Sequence, residues 1–157
     1  MKMLIKEIFD KRQKEKIASE VLDELPQWFS IEEAKAEYIK SSADMPFFAS
    51  FDSNGNLQGF IVLKCISEHA AEIFVMGVKK IFQHKGVGTT LYKAFEDKAK
   101  ALNCNFVEVK TVEKGRYKEY DATNDFYISL GFKELEVLPE LWDKQNPCQV
   151  YIKYIGE

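Results

Sequence analysis

The chain predicts an α/β (α+β) fold, a mixed central sheet of about six to seven strands flanked by about four helices. Three observations carry this reading. Runs of strand composition occur at both ends and in the middle of the chain, and segments with apolar residues at helical spacing separate them. No repeat, low-complexity stretch or long linker divides residues 1–157, so a single domain is expected. A chain of 157 residues can bury a core without disulfides or metal.

Met3 to Phe9 reads as the first strand, and Asp10 follows as the N-cap of a helix with Ile17, Val21 and Leu22 on one face. Pro26 marks its end. Ser30 and Glu33 form the pattern of a capping box opening a second helix, with Ala34, Tyr38 and Ile39 inward; Pro46 bounds the following segment. Phe47 to Phe51 and Leu57 to Ile66 are strand-like, and the turn formers Asp52-Ser53-Asn54-Gly55-Asn56 between them predict an antiparallel hairpin. Ala70 to Val78 is apolar apart from Glu72, as suits a central strand buried on both faces. Val87, Leu91, Phe95 and Leu102 recur at helical spacing from Gly86 onward, and Asn105 to Val112 returns to strand composition. Asp121 is expected to cap a last helix carrying Ala122, Phe126 and Leu130 and ending at Gly131. Phe132 to Leu138 and Gln149 to Ile155 complete the sheet.

Composition narrows the function. A net charge of -3 argues against a nucleic-acid binder, which needs a basic face to neutralise phosphates, and suits a cationic small substrate better. The run Lys11, Arg12, Lys14 and Lys16 is interrupted by Glu15 and reads as a solvated helix face. Cys65, Cys104 and Cys148 are odd in number and widely spaced, so neither a disulfide framework nor a metal site is expected, and a reduced cytoplasmic compartment follows. No stretch approaches the ~20 apolar residues of a membrane span. No membrane association is expected.

The segment Gln83-His84-Lys85-Gly86-Val87-Gly88-Thr89 stands where a buried strand hands over to a helix. Its glycines allow close backbone approach, and a helix start offers unpaired N–H groups at the positive end of its dipole. Together these suit a pyrophosphate. A P-loop pattern is absent, and Leu91 stands where the third glycine of a dinucleotide fingerprint would be. By itself the short pattern is equally that of a plain tight turn. Thr89 could touch phosphate or cap the helix, and Lys85 could steer phosphates or face water.

Met76-Gly77-Val78 followed by Gln83-His84-Lys85-Gly86-Val87-Gly88 resembles the acetyl-CoA-binding motif of the GNAT superfamily of N-acetyltransferases. Phe126-Tyr127-Ile128-Ser129-Leu130-Gly131-Phe132 resembles the superfamily's FYxxxGF helix, which flanks the thiol end of coenzyme A. Leu25-Pro26-Gln27-Trp28-Phe29, Ala71-Glu72-Ile73, Leu141-Trp142 and Asn146-Pro147-Cys148 are similar to one group of largely uncharacterised bacterial GNAT proteins, a likeness that supplies no substrate. One departure stands out: many relatives carry an asparagine near the cofactor seven places before the motif tyrosine, and here that residue is Tyr120, so that contact does not transfer.

The resemblance implies a cleft where the central strand splays near Met76 to Val78 and pantetheine pairs with exposed backbone, with Gly77 letting the thioester arm lie close. It implies acetyl transfer from acetyl-CoA to a primary amine of a small molecule or peptide, by direct attack in a ternary complex. The N–H of Val78 would form an oxyanion hole, and Tyr127 would protonate the departing thiolate. Glu72, alone in an apolar strand where burial tends to raise a carboxylate's pKa, is the candidate base; a salt-bridged structural carboxylate is the alternative. Trp28 and Phe29 fall where the superfamily shapes its acceptor pocket, or else pack a helix end. His69 and His84 have no catalytic reading, and Cys148 lacks partners for a nucleophile. Two other functions fit the same motifs: a non-catalytic acyl-CoA-binding or sensing module, and a protein acetyltransferase acting on lysine or an N-terminal amine. Dimers are common in the superfamily, so a homodimer is compatible with this reading.

Overall fold

The computed structural model describes residues 3–156. Its elements are β1 (Met3–Ile8), α1 (Lys11–Asp23), α2 (Glu32–Ser42), β2 (Phe47–Asp52), β3 (Leu57–Cys65), β4 (Ala70–Val78), α3 (Val87–Ala101), β5 (Phe106–Val112), α4 (Lys118–Ser129), β6 (Lys133–Asp143) and β7 (Asn146–Tyr154). The seven strands form one sheet in the order β1-β2-β3-β4-β5-β7-β6. Every neighbouring pair is antiparallel except β4 and β5, which run parallel. This is the mixed α/β architecture read from the sequence.

Two apolar layers sandwich the centre of the sheet. Ile61 and Leu63 of β3 pack with Val87, Leu91 and Phe95 of α3, whereas Phe60 and Val62 pack with Ile17, Val21 and Leu22 of α1. That alternation is the pleat of β3 expressed as two cores. On β4 the alternation breaks. Val62 faces Val75 while Leu63 faces Ile73, so Phe74 is an extra residue, a β-bulge. Before it, Ala71 and Ile73 face the α3 core; after it, Met76 and Val78 do. The extra residue thus switches which positions point to which layer, and a bulge also bends and twists its strand.

The bend separates β4 from β5. Their parallel ladder holds only from Ala70↔Phe106 to Glu72↔Glu108, although β4 continues to Val78 and β5 to Val112. Meanwhile β5 stays paired with β7 from Phe106↔Tyr154 to Val112↔Cys148. A wedge-shaped gap therefore opens in the sheet. Its apex carries two carboxylates side by side, and Lys110 lies 2.7 Å from both Glu72 and Glu108. Like charges on adjacent strands repel, so the shared ammonium is what makes this rung tolerable.

Several local expectations need correction. Asp10 does cap α1, accepting from the Gln13 N–H at 2.9 Å. The Ser30–Glu33 capping box does not form: α2 begins after Ile31 with no side-chain cap, and Ala34 is exposed rather than inward. Asp121 does not cap α4, which begins earlier, at Lys118; its carboxylate instead accepts from the Gly115 N–H at 2.6 Å and ties down the preceding turn. Strand β6 runs beyond Leu138 to Asp143, through Pro139. Proline is tolerated there because β6 is an edge strand.

Gly59 lies beside the wider end of the gap. A Cβ at this position would sit 2.5 Å from the Gly77 carbonyl oxygen, which is backbone and cannot swing away. Gly59→Ala should therefore cost about 3 kcal/mol, the upper end of ordinary overpacking. Urea unfolding checks this, with a lower midpoint at an unchanged slope expected.

Candidate active site

The gap in the sheet is the floor of a cleft of about 1150 Å³. Lys79 N–H donates to the Gln58 carbonyl at 2.9 Å, which sets the phase of the β3–β4 ladder. Polar groups alternate sides along a strand, so the N–H groups of Met76 and Val78 and the Met76 carbonyl face away from β3, where β5 has already departed. Buried backbone groups need partners, so this edge is a ready acceptor for an extended ligand. The Val78 carbonyl already has one: the Gln83 side-chain amide donates to it at 2.9 Å, closing the loop over the end of β4.

At one end of the cleft stands the N-terminus of α3. Gly86 is its N-cap with φ 86°, a left-handed conformation that glycine adopts without strain, and no side chain caps the helix. The first intrahelical bond from this point runs from Thr90 N–H to the Gly86 carbonyl at 3.0 Å. The amides of Val87, Gly88 and Thr89 precede it, and no acidic residue occupies the first turn. A diphosphate bound there would gain charge-assisted hydrogen bonds of about 1.5–3 kcal/mol each plus the dipole contribution of up to about 2 kcal/mol. Lys85 is exposed and lies outside the cleft lining, where a solvated charge contributes about 0–1 kcal/mol. The backbone therefore outweighs the lysine.

The remaining predicted donor-site residues fall around this turn. Gln83, His84, Gly86, Val87, Gly88 and Thr89 all line the cleft, as do Met76, Gly77 and Val78. Thr89 is the third helical residue and caps nothing. Two glycines have a different reason from the one expected. A Cβ on Gly77 would meet Val21 of α1 and Leu25 just beyond its end at 3.0 Å, and one on Gly88 would meet the Phe126 ring of α4 at 3.0 Å. Both glycines admit neighbouring side chains rather than leave room for a ligand, and Phe126 forms part of the cleft wall.

Tyr127 lines the cleft from α4, its ring packed among Phe126, Phe132 and Tyr151. Among the described residues none hydrogen-bonds its hydroxyl. Burial pushes its phenol well above the usual tyrosine value. Glu72 does not line the cleft itself but borders an adjoining hollow of about 340 Å³ with Tyr38, Phe74, Lys110 and Trp142, and only its Oε2 is engaged by Lys110. Burial opposes the charge on Lys110, but the bonds it donates to Glu108 and Glu72 outweigh this and raise its pKa. Cys148 is buried, which pushes its thiol up to about 11, the opposite of an activated nucleophile.

Trp28 and Phe29 also line the cleft, between α1 and α2. Four residues escaped the sequence reading. Tyr38, taken for core, borders both hollows. Tyr120 donates to the Trp28 carbonyl at 3.0 Å. Lys110 holds the apex. Asn124, fully buried, donates to the carbonyls of Val112 at 2.9 Å and Tyr120 at 2.7 Å and accepts from the Tyr151 hydroxyl, so it clamps α4 to the end of β5. A polar residue three places before the motif tyrosine was the only sequence signal for Asn124.

A parallel strand pair that parts beside an uncapped helix N-terminus is the frame of this cleft, and the fold is that of an acetyltransferase family. The model of the Acetyltransferase (GNAT) family matches residues 6–132, and the chain belongs to that family. Solved structures agree in fold. A GNAT-family protein from Desulfovibrio desulfuricans superposes with a TM-score of 0.82 at 13% identity, covering 99% of this chain and 100% of that one. The aminoglycoside 6'-N-acetyltransferase from Enterococcus faecium gives 0.77 at 19% identity, with 98% of each chain covered. An aminoglycoside 6'-N-acetyltransferase complexed with coenzyme A gives 0.75 at 19% identity, again over 98% of each. No curated protein matches the chain. Among the described residues no helix is long and apolar enough to cross a membrane.

The alkaline response of the fold follows from these groups. Burial pushes the Tyr120 phenol up to about 12 and raises that of Tyr127 too, whereas an unfolded tyrosine ionises near ~10. A raised folded pKa contributes stability that is complete below the unfolded value and lost as pH rises through the folded one. Thermal midpoints should be insensitive to these tyrosines between about pH 7 and 9 and fall steeply between about 10 and 12. Circular-dichroism melts across that range check the prediction.

Proposed function

We propose that the protein transfers an acetyl group from acetyl-CoA to a primary amine of a small molecule or peptide, by direct attack in a ternary complex. The observation that carries this is the parting of β4 from β5 beside the uncapped start of α3. One surface then offers a diphosphate site and, along the same strand, a backbone edge for an extended arm. The fold likeness to an N-acetyltransferase complexed with coenzyme A supports the reading.

In this reading the amides from Gly86 to Thr89 receive the diphosphate, and Met76 pairs through its N–H and carbonyl with a pantetheine amide, which leaves the Val78 N–H for the thioester. The amine nitrogen attacks the thioester carbonyl; a C–N bond forms and negative charge gathers on the carbonyl oxygen, toward which Val78 N–H is the nearest preset donor. The C–S bond then breaks. Glu72 takes the amine proton through water with the oxygen not engaged by Lys110, and Tyr127 gives its proton to the thiolate. Burial keeps Tyr127 protonated at working pH, and the thiolate, desolvated in the same cleft, has its own proton affinity raised in the same sense. Trp28 and Phe29 wall the acceptor side.

Free thiol release on mixing acetyl-CoA with a panel of primary amines tests the function directly. Turnover with at least one amine is expected; tight acetyl-CoA binding without release across the panel would reassign the protein to a sensing module. Tyr127→Phe should lower kcat by about 10²–10⁴-fold, the usual range for a lost general acid, with the acetyl-CoA KM little changed. An unaltered kcat at every pH would remove Tyr127 from the chemistry.

A further inference from the structure

The segment joining α1 to α2 reaches over the cleft and is fastened to α4 by two bonds. Tyr120 hydroxyl donates to the Trp28 carbonyl at 3.0 Å, and the Trp28 indole N–H donates to the Thr123 hydroxyl at 3.2 Å. Backbone and side chain of one tryptophan are therefore both tied to the same helix, from positions more than 90 residues apart in sequence. Thr123 in turn donates to the Glu119 carbonyl at 3.1 Å, which orients its lone pair toward the indole. Phe29 is tied back to the Leu25 carbonyl at 3.0 Å and packs edge-on against Tyr38, whereas beyond it α2 has no side-chain cap and Ile31 is 66% exposed.

The α4 side of this clasp is firm. Phe126 lies against Gly88 at the diphosphate end, and Asn124 fixes the middle of α4 to β5. Tyr120 precedes Tyr127 by seven residues, about 10 Å along the helix, and both line the cleft. The helix thus holds Tyr127 at a set distance from the clasp, and any give lies in the Trp28 segment.

We infer that Tyr120 is a specificity-determining, positioning residue: by holding the Trp28 segment across the cleft it limits the bulk of acceptor that reaches Tyr127. This rests on the transfer reading above for its second half, since only a transferase has an acceptor to select. The clasp holds throughout the neutral range, because burial pushes the Tyr120 phenol up to about 12. It is a constant filter, not a pH switch.

Tyr120→Phe removes the hydroxyl while keeping the ring against Tyr117, and Thr123→Val breaks the second bond together with the bond from Thr123 to the Glu119 carbonyl. Amide hydrogen exchange over residues 27–31 should rise by about 3–10-fold in each, the opening expected for one lost hydrogen bond. The kcat/KM ratio of a branched or ring-bearing primary amine over ethylamine should rise by a similar factor, while the acetyl-CoA KM stays within about twofold. Unchanged exchange in both variants overturns the clasp. Faster exchange with an unchanged ratio overturns its selective role and leaves a purely structural bond. Absence of turnover by the unmodified protein with any amine defeats the transfer reading and the selective role with it, whereas the exchange rates still report whether Trp28 is clasped.

Discussion

An extra residue in β4 sets the geometry on which the site depends. With Phe74 bulged, β4 bends away after Glu72, and β5, held along its whole length by β7, cannot follow. The two strands share only the first rungs of a ladder and then expose backbone to each other across open space. At the point of divergence Glu72 and Glu108 stand opposite one another, a repulsive pair made acceptable by Lys110 between them. The same ion pair places Glu72 within reach of the cleft yet outside its lining. As a structural staple Glu72 uses one carboxylate oxygen, and the other remains unengaged by the lysine.

Helix α4 is the second organising element, since it references both ends of the cleft to one rigid axis. Its Phe126 touches the glycine turn, its Tyr127 overlooks the gap, and its Tyr120 and Thr123 hold the acceptor-side segment. A single buried asparagine fastens this helix to β5, each of its hydrogen bonds being worth about 1 kcal/mol net but far more costly to leave unmade in a dry interior. Position, more than chemistry, is what the helix supplies.

Much of this was legible in the sequence. Helical spacing located α1 and α3, the Asp52–Asn56 turn gave the β2–β3 hairpin, and the apolar run from Ala70 marked the central strand. The glycine turn and the tyrosine after Phe126 both line the cleft. What escaped depends on neighbours distant in the chain. An apolar run buried on both faces gives no parity, so the bulge at Phe74 left no trace. Gly77 and Gly88 looked like room for a ligand, whereas Val21, Leu25 and Phe126 occupy that room. Ser30 and Glu33 fit a capping box in spacing, but the chain enters α2 one residue later. Tyr120 read as a departure from a pattern, and its purpose appears only with Trp28 alongside it.

The central claim is that Met76 and Val78 present backbone donors to a gap that the donor substrate fills. Amide-resolved hydrogen exchange, measured with and without saturating acetyl-CoA, tests it most directly. The account predicts fast exchange at Met76 and Val78 in the free protein and at least about tenfold slowing on binding, with Gly77, turned toward β3, slow in both states. Slow exchange at Met76 and Val78 before any ligand is added, or no change on adding it, would contradict the account.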